Sequence, residues 1–145
     1  MNHRGFTLLE VLLSVAILTL LTALSLPVYE SFVRRNDLDL TTQTIALALR
    51  RAETYARGQK NDSTWGIELQ APDVTLFKGS TYSTRDTSYD EIITLPGSVS
   101  ISSTPSEIIF SKLRGAPGSS ATIQVSSTTN DTRTITVNAK GMVSY

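Results

Sequence analysis

Between Phe6 and Val28 only one side chain ionises, the carboxylate of Glu10, set among Leu, Val, Ile, Ala, Phe, Ser, Thr and one Pro. Placing an acid in such a run within a bilayer costs about 2.5 to 3.5 kcal/mol even on a lenient insertion scale. An acid in such a place is usually there for a partner, since an opposite charge would offset much of that cost. Elsewhere reactive groups are sparse. The only histidine is His3 and there is no cysteine, which removes imidazole acid–base and triad chemistry, thiolate nucleophiles, thiolate zinc sites and disulfides. No serine stands in a Gly-x-Ser-x-Gly elbow. The chain is not expected to be an enzyme, and neither a cofactor nor a metal is expected. Asp86, Asp90 and Glu91 carry calcium-ligating groups without the spacing of a known loop, and read as a solvated acidic loop. Asn61-Asp62-Ser63 and Asn130-Asp131-Thr132 fit the N-glycosylation acceptor pattern, and read first as turns.

These groups must be positioned by one folded chain of 145 residues, 40% apolar and 18% charged, with 13 Lys plus Arg against 13 Asp plus Glu. Zero net charge removes the field that would draw the whole chain onto nucleic acid or an anionic surface. The 23 residues from Phe6 to Val28 reach about 35 Å as a helix, enough for a hydrocarbon core of about 30 Å. A secretory signal cleaved near Ala23-Leu24-Ser25 is one alternative, but the apolar run is too long and holds a carboxylate. A plain single-pass anchor explains the length and leaves Glu10 unexplained. Pro27 is the expected site of a helix kink.

Past the apolar run the helix is expected to continue over residues 29–57. Leu38, Ile45, Leu49, Ala52 and Ala56 recur at steps of three, four or seven and form one stripe, with Arg50, Thr54 and Arg57 on the far face. Gly58 supplies a stop, and Glu53 stands four residues ahead of Arg57 in the order that favours an ion pair. Residues 58–145 then read as strands. Trp65, Ile67 and Leu69 alternate with smaller or polar residues, Ala71-Pro72-Asp73 turns the chain, and Val74 to Lys78 returns. Ser80 to Asp90 lacks an apolar period and is expected to be a surface loop. Glu91 to Leu95, a Pro96-Gly97 turn, Val99 with Ile101, and Ile108 to Phe110 follow. A hairpin-like pair, Ala121 to Ser126 and Arg133 to Ala139, and a short Met142 to Tyr145 end the series. The expectation is an α+β fold in which a long N-terminal helix covers one face of an antiparallel sheet.

The run Arg4-Gly5-Phe6-Thr7-Leu8-Leu9-Glu10-Val11 resembles the class III signal of type IV prepilins and pseudopilins. Softer similarity to the GspH/FimT group of minor pseudopilins and pilins lies in Trp65-Gly66-Ile67, in Phe110-Ser111-Lys112-Leu113-Arg114-Gly115, and in Thr134 to Val137 with Lys140-Gly141-Met142-Val143. The resemblance implies a type IV pilin-like fold and a leader of residues 1–5. A prepilin peptidase would cut between Gly5 and Phe6, Phe6 would be N-methylated, and Glu10 would serve assembly. Residues 6–28 would span the cytoplasmic membrane once and later form the filament core. The implied function is a structural subunit of a type IV pilus or a type II secretion pseudopilus. Its partners would be other pilin subunits, the peptidase/methylase, the membrane and the assembly machinery. Alternatives are a minor tip pilin that holds DNA or a surface ligand, and an anchored domain that never polymerises. Some FimT-like members bind DNA through a basic Gly-Arg-x-Arg motif, where this chain has Lys140-Gly141-Met142-Val143. With Lys112, Arg114 and Lys140 as the candidate cations, DNA is not favoured as a partner.

Overall fold

A 50-residue helix, α1 (Leu8–Arg57), precedes eight strands: β1 (Trp65–Gln70), β2 (Asp73–Lys78), β3 (Asp86–Thr94), β4 (Val99–Thr104), β5 (Glu107–Phe110), β6 (Ala121–Ser127), β7 (Thr132–Val137) and β8 (Val143–Ser144). This computed structural model describes residues 5–145, except the side chains of 24–28. Contacts group the chain into two units, Met1–Val33 and Arg34–Tyr145.

In the second unit the amphipathic stripe does what its spacing predicts. Leu38, Ile45, Leu49, Ala52 and Ala56 are fully buried, and Ala46 and Ala48 join them. Each large aliphatic side chain buried there contributes about 1.5 to 3 kcal/mol. Thr42 is also buried within the helix, at no hydrogen-bonding cost, because its hydroxyl donates to the Leu38 carbonyl at 2.7 Å. The helix ends at Arg57, where the Gly58 N–H donates to the Thr54 carbonyl at 2.8 Å. Arg57 and Glu53 form the expected pair at 2.9 Å.

The strands form two antiparallel sheets where a single sheet is expected from the sequence. One has the order β3-β2-β1-β5 and the other β4-β6-β7-β8. Both send apolar side chains into one core with α1: Trp65, Ile67, Leu76 and Phe110 from the first, Ile123, Val125, Ile135 and Val137 from the second. Alternation along a strand fixes which face is buried. It does not fix which strand lies beside which, and two sheets satisfy the same alternation.

Ser80 to Asp90 is a second departure from expectation. Its C-terminal half is strand β3, which pairs with β2 through Leu76↔Glu91 and, across a bulge, Lys78↔Asp86. Residues 79–85 fold over the outer face of the first sheet. Phe77, on that face, is fully buried beneath them and meets the Tyr82 ring edge-on at 5.5 Å. Arg85 stacks on Tyr82 at 3.7 Å and binds Asp90 at 2.8 Å, while the Tyr82 N–H donates to Glu107 at 2.6 Å. Gly66 makes room for Phe77, since a Cβ at Gly66 would lie 2.7 Å from the Phe77 Cζ. Polar residues form this cover because Tyr82, Arg85, Asp90 and Glu107 pair with one another within the loop and its neighbouring strands, a pattern invisible to a hydrophobic period.

Candidate processing and assembly segment

The head of the described chain is open. Gly5 has nothing within 4 Å of where a Cβ would stand, and Phe6 is 82% exposed. Open space and the absence of a side chain leave the Gly5-Phe6 peptide accessible to a protease. Thr7 immediately precedes α1 and caps it: its carbonyl accepts from Glu10 and Val11 at 3.1 and 3.2 Å, and its hydroxyl accepts from the Glu10 N–H at 3.3 Å. Thr7-x-x-Glu10 thus has the sequence form of a capping box, with the acid also favoured by the positive end of the helix dipole. The Thr7-x-x-Glu10 spacing is the signal in the sequence that marks this helix start.

Beyond the cap the helix surface is bare and apolar. Leu9, Leu12, Leu13, Leu18, Leu20 and Leu21 are all more than half exposed. The few polar side chains turn inward on their own backbone. Ser14 donates to the Glu10 carbonyl at 2.7 Å, Thr19 to the Val15 carbonyl at 2.9 Å, and Thr22 to the Leu18 carbonyl at 2.6 Å. Uncovered apolar surface on this scale marks a lipid or partner contact. Among the described residues no helix is long and apolar enough to cross a membrane. The span expected over 6–28 includes residues 24–28, whose side chains lie outside the described residues, and the kink expected at Pro27 falls there too. Arg4 and the rest of the expected leader, Gly5 apart, also lie outside them.

The other candidate groups do not converge. Asp86, Asp90 and Glu91 lie on β3, not in a solvated loop, and each holds a different cation: Lys78 at 3.6 Å, Arg85 at 2.8 Å, and Arg51 in a two-pronged bond that includes 2.8 Å from Nη2 to Oε2. Among the described residues no three His, Asp or Glu side chains could together hold a metal ion. Arg51 also reaches Tyr55, and this hydrogen bond is the main cause of a phenol pKa below its ordinary value. Asn61 sits in a 3₁₀ turn, Lys60–Asp62, and Asn130 in the β6–β7 turn, both with positive φ. Lys112 is paired with Asp62. Lys140 lines a groove of about 520 Å³ together with Arg50, Glu53, Arg57, Met142 and Val143. Arg50 is not free on a solvated face: it donates to the Val143 carbonyl at 3.2 Å and lies over the Tyr145 ring.

Comparison with known proteins bears on both ends of the chain. The family described as "Prokaryotic N-terminal methylation motif" matches residues 1–26. The fold is similar to that of the minor pseudopilin EpsH from the Type 2 Secretion System of Vibrio cholerae, with a TM-score of 0.58 and 11% sequence identity. That similarity covers 74% of this chain and 94% of EpsH. No curated protein sequence matches the chain. The two findings differ in kind: the first is a motif confined to residues 1–26, and the second is a likeness of fold to a minor pseudopilin.

Proposed function

We propose that the chain is a structural subunit of a type IV pilus or a type II secretion pseudopilus, with no catalytic role of its own. The observation that carries this reading is the bare apolar helix surface directly behind an accessible Gly5-Phe6 peptide. Cleavage between Gly5 and Phe6, and methylation of Phe6, would leave that surface at the head of the mature chain. Residues 6–28 hold it in the cytoplasmic membrane as a single span until it is extracted into a filament. There the amine of Phe6 on one subunit pairs with Glu10 of a neighbour, an arrangement that relieves the cost of an isolated charge among apolar helices. Its partners are other pilin or pseudopilin subunits, the prepilin peptidase and the assembly machinery.

The test compares parent chain with a Gly5→Asp variant in a host that makes a prepilin peptidase. Parent protein recovered in the sheared filament fraction, with the variant retained in the membrane at full length, is the expected result. Equal recovery of both, or a parent chain never found outside the membrane, would overturn the proposal and favour an anchored domain that does not polymerise.

A further inference from the structure

The seam between the C-terminal end of α1 and strand β8 holds the groove of about 520 Å³ lined by Arg50, Glu53, Arg57, Lys140, Met142 and Val143. Two glycines build it. A Cβ on Gly115 would lie 2.7 Å from the Arg57 Nε, and a Cβ on Gly141 would meet the Gly115 carbonyl and lie 3.2 Å from the Glu53 Oε1. The bare backbone of both turns can therefore close on the helix and hold these two side chains at the groove. Lys140 is fixed at the rim, because its N–H and that of Met142 donate to the Asn138 side-chain oxygen at 2.9 and 3.0 Å. Arg50 is fixed as well, by the Val143 carbonyl at 3.2 Å and by the Tyr145 ring. The groove carries three cations against one acid, Glu53, which already holds Arg57. Among the described residues Arg50 and Lys140 have no carboxylate partner, whereas Arg51, Lys78, Arg85, Lys112 and Arg133 each hold one elsewhere in a chain of zero net charge.

An excess of positive charge in a preorganised groove selects an anion, and the remaining groups select its kind. Met142 and Tyr145 are 66% and 59% exposed, and Met, Tyr and Arg are the residue types enriched where one protein meets another. Glu53 adds an acceptor to the lining. A DNA backbone brings only acceptors and negative charge to that carboxylate, whereas a peptide brings N–H donors for it together with carboxylates for the cations. We propose that the groove binds an acidic segment of a different protein, its carboxylates on Arg50, Arg57 and Lys140 and an apolar side chain against Met142 and Val143. The groove lies within the second unit and is present whether or not the chain polymerises.

The experiment uses the full chain in a zwitterionic detergent, with a fluorescent peptide of repeated Glu-Leu-Glu-Ser as the probe and the same peptide carrying Gln for Glu as its control. The Glu peptide is expected to bind, to weaken as salt is raised, and to bind at least about tenfold more tightly than the Gln peptide. Lys140→Glu, an exposed change in the groove, should weaken binding by at least about tenfold. Lys112→Glu, the same change of net charge on a turn outside the groove, should bind as the parent does. Met142→Asp should weaken binding too and serves as the test if Lys140→Glu fails to fold by circular dichroism. The proposal is overturned if the parent does not bind the Glu peptide, if both peptides bind alike, or if folded Lys140→Glu and Met142→Asp variants bind as the parent does. It also fails if duplex DNA binds the parent more tightly than the Glu peptide at the same salt. Self-association of the parent that Lys140→Glu abolishes in sedimentation would overturn it as well, by making a second copy the occupant.

Discussion

The backbone N–H of Glu10 donates to the hydroxyl of Thr7 at 3.3 Å. Glu10 therefore sits on the third residue of a capped helix start, and its position there has a local cause as well as the intermolecular one proposed. The two roles separate by mutation, because capping here uses the backbone of Glu10 and the side chain of Thr7. Pairing with a neighbour's amine uses the Glu10 carboxylate.

Glu10→Ala should insert into membranes as well as the parent or better, because an acid has left an apolar helix. Its incorporation into sheared filaments should fall sharply, with Glu10→Asp intermediate. Thr7→Ala, by contrast, should loosen the first turn by about 1 kcal/mol and leave incorporation largely intact. Quantifying each variant in membrane and filament fractions decides the matter; full incorporation of Glu10→Ala would remove the assembly role.

The mature chain should begin at Phe6 and carry one methyl group on its amine. Intact-mass measurement of filament protein checks this directly. A start near Leu26, or residues 1–5 still attached, would contradict it.

A fragment beginning at Arg34 should fold as a soluble monomer with mixed helix and sheet. The stripe from Leu38 to Ala56 and the inner faces of both sheets cover one another within that unit. Circular dichroism and sedimentation are the readouts, and aggregation would show that the unit needs the preceding residues.

Gly141→Ala should destabilise that fragment by about 2 kcal/mol or more. Gly141 has φ 92, and a Cβ there would press on the Gly115 carbonyl, a backbone atom that cannot swing aside. Gly97→Ala, where no atom lies within 4 Å of a Cβ, is the matched control. Thermal melts of the two should differ clearly.

Burial raises the pKa of Glu68, and the charge of Glu107, directly opposite across β1 and β5, raises it further. A carboxyl held above its unfolded value contributes stability that is full below the unfolded pKa and is lost as pH rises through the folded one. The fragment should therefore melt at a higher temperature at the low edge of the ordinary carboxylate range than at neutral pH, as far as Glu68 governs it. Glu68→Gln should flatten that part of the profile. An unchanged profile would show that Glu68 titrates normally.

The helix stripe was legible because burial on one side of a helix imposes a 3.6-residue period, and Leu38, Ile45 and Leu49 obey it. The N-terminal motif was legible because Gly5, Phe6 and Glu10 stand at fixed spacing in a run otherwise free of charge. Strand β3 and the cover over Phe77 were not, since Tyr82, Arg85, Asp90 and Glu107 hold the loop through hydrogen bonds and ring stacking. Such contacts link residues up to 25 positions apart and leave no periodic trace. The division into two sheets was hidden for a related reason: β4 leaves β3 to pair with β6, a choice made by partners distant in the chain.

Ser14, Thr19 and Thr22 have already satisfied their hydroxyl hydrogens on the helix that carries them. The segment would consequently have little hydrogen-bond demand to renegotiate on the proposed passage from acyl chains to the flanks of other helices. Its partition between those two apolar solvents is left to shape and to the single charge at Glu10. A polymer drawn from a bilayer needs this property, because a subunit that bonded firmly to either environment could not be handed to the other.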